Sequence, residues 1–187
     1  MSLKEKTIDS QVAYRGGFLE IRRDAVLLPD GKQATREYCV HPGAAVVIPV
    51  LPDGQLVLEK QYRYPVQQEM IEFPAGKLDP QESDLSCAVR ELREETGYTA
   101  RRWAYAGKIY PCIGYSDEII HIWLATELSA GAQRLDQGEF VDVFTAPVQQ
   151  VNQWSLDGTI TDSKTLCALR WLNAWLHDEW QPDWQVV

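Results

Sequence analysis

Three glutamates close together, Glu91, Glu94 and Glu95, are the residues of this chain best suited to do chemistry. On a helix turning about 100° per residue, spacings of three and four return a side chain to the same face, so the three form one carboxylate ridge. Leu85, Ala88, Val89 and Leu92 fall in the neighbouring sector and read as a buried seam. Like charges at such spacings repel by a few tenths of a kcal/mol per pair, so nothing local favours the ridge. A Glu-rich helix can be no more than a solvated face. A ridge beside a buried seam suggests instead a bound cation that offsets the repulsion. Oxygen-only donors on one rigid element suit Mg²⁺, with Mn²⁺ as the alternative.

The surrounding order favours the second reading. Gly76 is followed after five residues by Glu82, after seven more by Arg90-Glu91, then Leu92, one residue, Glu94-Glu95, one residue, Gly97 and apolar Tyr98. This order resembles the signature box of the Nudix hydrolase family at every fixed position, and so many fixed positions are far more specific than a lone short motif. The resemblance implies a Nudix fold and cation-dependent cleavage of a nucleoside diphosphate linked to another moiety. By matching positions it implies that Glu91, Glu94 and Glu95 bind metal, that Arg90 holds them by ion pairing, and that Gly76 and Gly97 shape the two ends.

The elements that must position this helix can be read in outline. Pro74 keeps Phe73 out of the helical region, so the chain reaches Ala75 extended or turning, and the Ala75 carbonyl could face a metal as the equivalent group does in the resembled family. Asp79, with Pro80 and Glu82, could cap the helix, but Ser83 one turn later is preferred. Gly97 ends it by accepting the left-handed conformation. Gly43 to Leu51 is a nearly continuous apolar run, hence a strand covered on both faces. Pro52-Asp53-Gly54 turns it into an alternating strand from Gln55 to Arg63. Trp103 to Ile109, Ile119 to Thr126 and Glu139 to Phe144 read as further strands, Pro147 to Trp154 as a short helix, and Asp162-Ser163-Lys164-Thr165 as the start of a last one. In that last helix Leu166, Leu169, Leu172, Trp175 and Leu176 form a core-facing seam. Trp171, Trp175, Trp180 and Trp184 read as packing or dimer contacts.

Before Gly43, two polar and apolar runs flank Pro29-Asp30-Gly31, where Pro presets φ and Gly accepts positive φ. They predict an antiparallel hairpin or three-strand meander, too small to bury both faces or protect its own edges. The expected class is α+β, with residues 1–42 forming a small N-terminal antiparallel β-sheet and residues 43–187 the Nudix domain, a mixed sheet sandwiched between helices.

Composition narrows the partners. With 187 residues, 45% of them hydrophobic, the chain can build one sizeable core. It has no run of eighteen apolar residues and no basic leader before an apolar block, so neither membrane insertion nor secretion is expected. The four cysteines are scattered without CxxC pairing, which fits reduced thiols in the cytoplasm, and the three histidines are isolated, giving zinc little support. A formal charge of −9 without a basic cluster disfavours a long nucleic acid. It leaves room for a small phosphorylated substrate, because a bridging cation inverts the local field.

Further segments resemble the ADP-ribose pyrophosphatase branch of the family: Gln61-Tyr62-Arg63-Tyr64-Pro65, Phe73 to Asp79, Pro111 with Gly114 to Glu118, and Gly158 to Thr165. That branch implies hydrolysis of ADP-ribose to AMP and ribose 5-phosphate, and a homodimer that exchanges its N-terminal sheet. It makes Glu139 a candidate general base, with Glu118 its competitor as base or ribose contact, and Glu94 a candidate catalytic residue as well as a metal ligand. Arg36 and Arg63 become candidates for diphosphate or ribose contacts, since guanidinium matches phosphate bidentately. Ser116 joins the substrate-contacting loop, and Phe18 or Tyr14 would give adenine an aromatic platform. GDP-mannose or another nucleoside diphosphate sugar is the alternative substrate. A sensing module that binds without cleaving fits less well, because degenerate family members lose box glutamates and all are kept here.

Overall fold

The polypeptide pairs its strands in three separate sheets, and a computed structural model describes residues 2–187. Contacts divide the chain into two units, one running to Pro42 and including Tyr110–Ile119, the other comprising Gly43–Ile109 and Ile120–Val187.

The first unit is a meander of β1 (Lys6–Arg15), β2 (Glu20–Leu27) and β3 (Gln33–Val40), antiparallel in the order β1-β2-β3. The expected turn joins β2 to β3: Gly31 sits at φ 85°, and its N–H donates to the Leu28 carbonyl at 3.0 Å. Tyr110–Ile119 docks on the end of β3. The Cys39 N–H donates to the Tyr115 carbonyl at 2.8 Å, and the His41 N–H donates to the Asp117 carboxylate at 2.8 Å. A turn-rich loop thereby satisfies backbone groups that its composition leaves unpaired.

The second unit comprises β4 (Ala44–Pro49), β5 (Gln55–Arg63), β6 (Gln68–Glu72), β7 (Ala75–Lys77), α1 (Asp84–Thr96), β8 (Thr99–Ile109), β9 (Ile120–Ser129), β10 (Val141–Pro147), α2 (Val148–Asp157), α3 (Ser163–Leu176) and β11 (Trp184–Val186). Its mixed sheet has the order β11-β8-β9-β4-β7, with β4 parallel to β9 and the other pairs antiparallel; β10-β5-β6 is a second, antiparallel sheet. β4 is buried along its whole length, as its unbroken apolar run predicts. Its alternate side chains serve two cores. Ala45 and Val47 pack with Cys87, Ala88 and Leu92 of α1 and with Trp103 and Trp123. Ala44, Val46 and Ile48 pack with Leu56, Leu58, Phe73, Ala168 and Leu172. The mixed sheet thus lies between helices, as expected.

Three elements differ from the sequence reading. β6 pairs antiparallel with β5 through a turn in which Gln67 holds φ 54°, a positive value without glycine or asparagine to announce it. β10 begins at Val141, so Glu139 lies in the loop before the strand. The buried line of α3 is Thr165, Ala168, Leu169 and Leu172, while Leu176 is exposed and Leu166, Trp171 and Trp175 pack only partly buried against the core. The tail returns as the edge strand β11. Trp184 meets Trp175 edge-on at 5.7 Å, and the Arg102 guanidinium covers it at 4.7 Å.

Candidate active site

α1 is held at both ends as its sequence requires. The Ser83 hydroxyl accepts from the Ser86 N–H at 3.1 Å, making Ser83 the N-cap, and Gly97 closes the helix at φ 75° with its N–H donating to the Arg93 carbonyl. A Cβ on Gly97 would also come within 2.7 Å of the Gly131 carbonyl, so this position excludes side chains on two counts. Asp84 in the first turn complements the helix dipole.

The helix buries more than its apolar seam. Glu91 is 8% exposed and Glu95 2% exposed, so two of the three glutamates sit in the buried face and only Glu94 stands at its margin. Gly76 permits this: a Cβ there would lie 1.8 Å from Glu91 Oε1. Glu95 accepts from the Ala75 N–H at 2.9 Å, which ties the strand entering the box to the last turn of the helix. Arg90 is the hub of the outer side. Its guanidinium donates to Glu82 at 2.8 Å, to Glu91 at 2.7 Å, to Glu94 at 3.3 Å and to the Lys77 carbonyl at 3.0 Å. Arg90 holds the Glu82 carboxyl below its ordinary value.

The sheets supply a second set of charged groups. Arg63 grips Glu72 bidentately at 2.7 and 2.6 Å, and Lys164 bonds the same carboxylate and also Asp162 at 3.1 Å. Burial pushes the Glu72 carboxyl up, but Arg63 and Lys164 outweigh it and hold the group below its ordinary value. The Thr165 hydroxyl accepts from the Phe73 N–H at 2.9 Å, and the Val47 N–H donates to the Pro74 carbonyl at 2.9 Å. The start of α3 therefore fixes the segment that leads to Ala75 and Gly76.

Glu59, next to this network, is wholly buried, and neither of its oxygens has a hydrogen-bond partner. Burial first, and the charge of Glu72 second, push its carboxyl up to about 8. Burial and then the charges of Glu59, Glu91 and Glu139 raise Glu95 well above its ordinary value; burial also raises Glu91, with Arg90 opposing. Glu139 approaches this group from the loop before β10, where its side chain accepts from the Asp136 N–H at 3.3 Å and from Gln61 at 3.5 Å.

The structure thus brings together Ala75, Gly76, Arg90, Glu91, Glu94, Glu95 and Glu139, with Arg63 on the adjoining sheet. Arg36, Phe18, Ser116 and Glu118 belong to the first unit. There Arg36 pairs with Glu5 at 2.9 and 2.5 Å, Phe18 is exposed in the turn between β1 and β2, the Ser116 hydroxyl accepts from the Glu118 N–H at 3.2 Å, and Glu118 lies 3.6 Å from His41. Glu59, Glu72, Lys164 and Thr165 went unrecognised as site residues in the sequence. The available signal is a glutamate, Glu59, that directly continues the buried apolar run Leu56-Val57-Leu58.

Among the described residues, no three acidic, histidine or cysteine groups converge tightly enough to grip an ion as they stand. The chemistry of the donor set nevertheless fits a hard divalent cation. It is all oxygen, its buried carboxyls raise one another's proton affinity, and the oxygens of Glu59 are orphaned. An open cleft of about 410 Å³ is bordered by Lys60, Tyr62, Glu69 and Phe140, and no glutamate of α1 lines it.

Comparison with known proteins places these residues in a wider frame. The family described as "NUDIX domain" matches residues 40–169, and that described as "Nucleoside diphosphate sugar hydrolase N-terminal domain" matches residues 5–38. An ADP-ribose pyrophosphatase of Bacillus subtilis (strain 168) is 38% identical over 91% of this chain and 94% of its own length. A methanol dehydrogenase activator of Bacillus methanolicus is 37% identical over 90% of this chain and 92% of its own. The crystal structure of an ADP compounds hydrolase superposes with a TM-score of 0.85 at 21% identity, covering 96% of this chain and 98% of that one, a likeness of fold.

Proposed function

Because the chain belongs to the Nudix family, we propose that it is a pyrophosphohydrolase that cleaves the diphosphate bond of ADP-ribose, or of a close ADP-sugar, to AMP and a sugar phosphate. The observation that carries this reading is the burial of Glu91 against Gly76 and of Glu95 against the Ala75 N–H, two carboxyls withdrawn from water on one helical face. Glu91, Glu94, Glu95 and the Ala75 carbonyl would hold the cation, Mg²⁺ in the first instance and Mn²⁺ as a substitute. When bound, it neutralises the diphosphate and lowers the pKa of a coordinated water.

The chain's own residues do the rest. Arg90 spaces Glu82, Glu91 and Glu94 by its ion pairs, so these like charges keep one geometry. Hydrolysis forms one phosphorus–oxygen bond to water and breaks the one to the bridging oxygen, and the water proton must go to a base. Glu139 is that base in this reading: it sits in a loop and acts on Glu91 and Glu95 by its charge. Glu118 is the alternative. Arg63, oriented by Glu72, is a candidate phosphate or ribose contact, and Arg36, Ser116 and Phe18 are the substrate-contact candidates carried by the first unit.

The active form in this reading is a homodimer that exchanges the N-terminal sheet. All ten residues of β1 are exposed, including Ile8, Val12 and Tyr14, and such a sheet needs cover. Cys39, Cys87, Cys112 and Cys167 are free thiols, in keeping with a cytoplasmic protein, and among the described residues no helix is long and apolar enough to cross a membrane.

The test is kcat/KM for ADP-ribose against GDP-mannose with Mg²⁺. ADP-ribose is expected to lead by at least tenfold, and a clear preference for GDP-mannose would overturn the assignment. Glu95→Gln should lower kcat by on the order of a hundredfold or more while leaving the fold intact.

A further inference from the structure

We propose that Glu59, on β5, is a further carboxylate of the divalent-cation site, supplied by the sheet and not by the helix. The inference rests on the cation reading above and extends it to a residue outside the signature box. β5 is buried on both faces from Leu56 to Glu59, a setting in which every other side chain is aliphatic. A carboxylate there loses its hydration, and the loss is tolerated only where a cation or a set of donors replaces the water.

Among the described residues, the basic groups around the site are bound to other carboxylates. Glu59 stands opposite Glu72 in the β5–β6 ladder, and like charges directly opposite one another destabilise a sheet. The nearby cations, Arg63 and Lys164, are committed to Glu72, which they bind through both of its oxygens. Arg90 is committed to Glu82, Glu91 and Glu94. Both oxygens of Glu59 remain without a hydrogen bond.

Gln61, two residues along the same face of β5, reaches the Glu139 carboxylate at 3.5 Å, so this face of the strand looks toward the loop before β10. The charges of Glu72 and Glu139 oppose that of Glu59, and Lys164 and Arg63 offset them only in part; Glu59 in turn opposes Glu95. Three buried carboxyls, Glu59 on β5 and Glu91 and Glu95 on α1, and the half-buried Glu139 from the loop before β10 therefore act on one another by charge, and among the described residues only Glu91 of the four has an ion pair, to Arg90. A protonated Glu59 would relieve the charge but would leave its hydroxyl donor unmatched. A divalent cation answers both the surplus charge and the orphaned oxygens.

The experiment is titration of the metal-free full chain with Mn²⁺, followed by the EPR signal of free Mn²⁺ and by calorimetry, for wild type, Glu59→Gln, Glu59→Met and Glu95→Gln. Circular dichroism and Tm in EDTA confirm folding, and the methionine variant covers a failure of the buried amide to fold. The expected result is Mn²⁺ binding about tenfold weaker in both Glu59 variants, with Tm in EDTA equal to or above wild type. A loss confined to Glu95→Gln, with the Glu59 variants within threefold of wild type, would overturn the inference and make Glu59 a structural carboxyl, leaving the helical site standing. Unchanged affinity in all three variants would overturn the helical site as well.

Discussion

Two positions of the site illustrate how steric and electrostatic demands fall on single side chains. Gly76 leaves no room for a Cβ while Glu91 keeps its place, because that space is filled by the Glu91 carboxylate 1.8 Å away. Gly76→Ala must displace Glu91 or the strand, so kcat/KM should fall at least tenfold with a lowered Tm; an unimpaired variant would show that Glu91 has room to move without consequence. Glu59 gives a pH signature. Burial first and Glu72 second raise its carboxyl from 4.5 to about 8. Between those values the folded chain keeps a proton that the unfolded chain has released, so the contribution to stability is complete below the lower value and declines as pH rises. It is lost above the upper one. In EDTA, Tm of the wild type should drop from pH 5 to pH 8 more steeply than Tm of Glu59→Gln. Parallel profiles would mean that Glu59 titrates normally.

The elements matter because they transmit position. α1 carries the carboxylates, but the segment facing it is set by α3, whose Thr165 hydroxyl accepts the Phe73 N–H and whose Lys164 shares Glu72 with Arg63. Thr165→Val keeps the shape and removes the acceptor, leaving a buried N–H unsatisfied at a cost of about 1–3 kcal/mol. For a chain of this size that corresponds to a fall in Tm of about 2–4 °C per kcal/mol. A change below 1 °C in a thermal melt would show that the bond contributes little. The β5–β6 hairpin has a comparable role, since it sets Glu59 directly opposite Glu72 and places Arg63 at its turn end, opposite Gln68.

For the molecule as a whole, the first unit raises the question of what covers it. Ile8, Val12 and Tyr14 lie on an exposed strand, and Phe18 and Leu19 in the turn after it are exposed as well. Sedimentation velocity at micromolar concentration should find a dimer. A Val12→Lys/Tyr14→Lys double variant should shift it toward monomer and reduce turnover, and a monomeric wild type would remove the exchange from the proposal.

The local code was legible wherever physics acts between near neighbours in the chain. The cap at Ser83, the stop at Gly97, the turn at Gly31 and the double-faced burial of β4 all follow from dihedral preference, side-chain capping and hydrophobic periodicity. The signature spacing likewise singled out Glu91, Glu94 and Glu95 before any coordinates. What only the folded chain decided depends on pairing across long separations. Glu59 comes to stand opposite Glu72 and to act on Glu95 by its charge, Lys164 reaches back to Glu72, and Gln67 turns without glycine because the β5–β6 pairing holds it there. A buried carboxylate and an exposed one are the same letter in a sequence, and only the tertiary structure removes the water that makes them different.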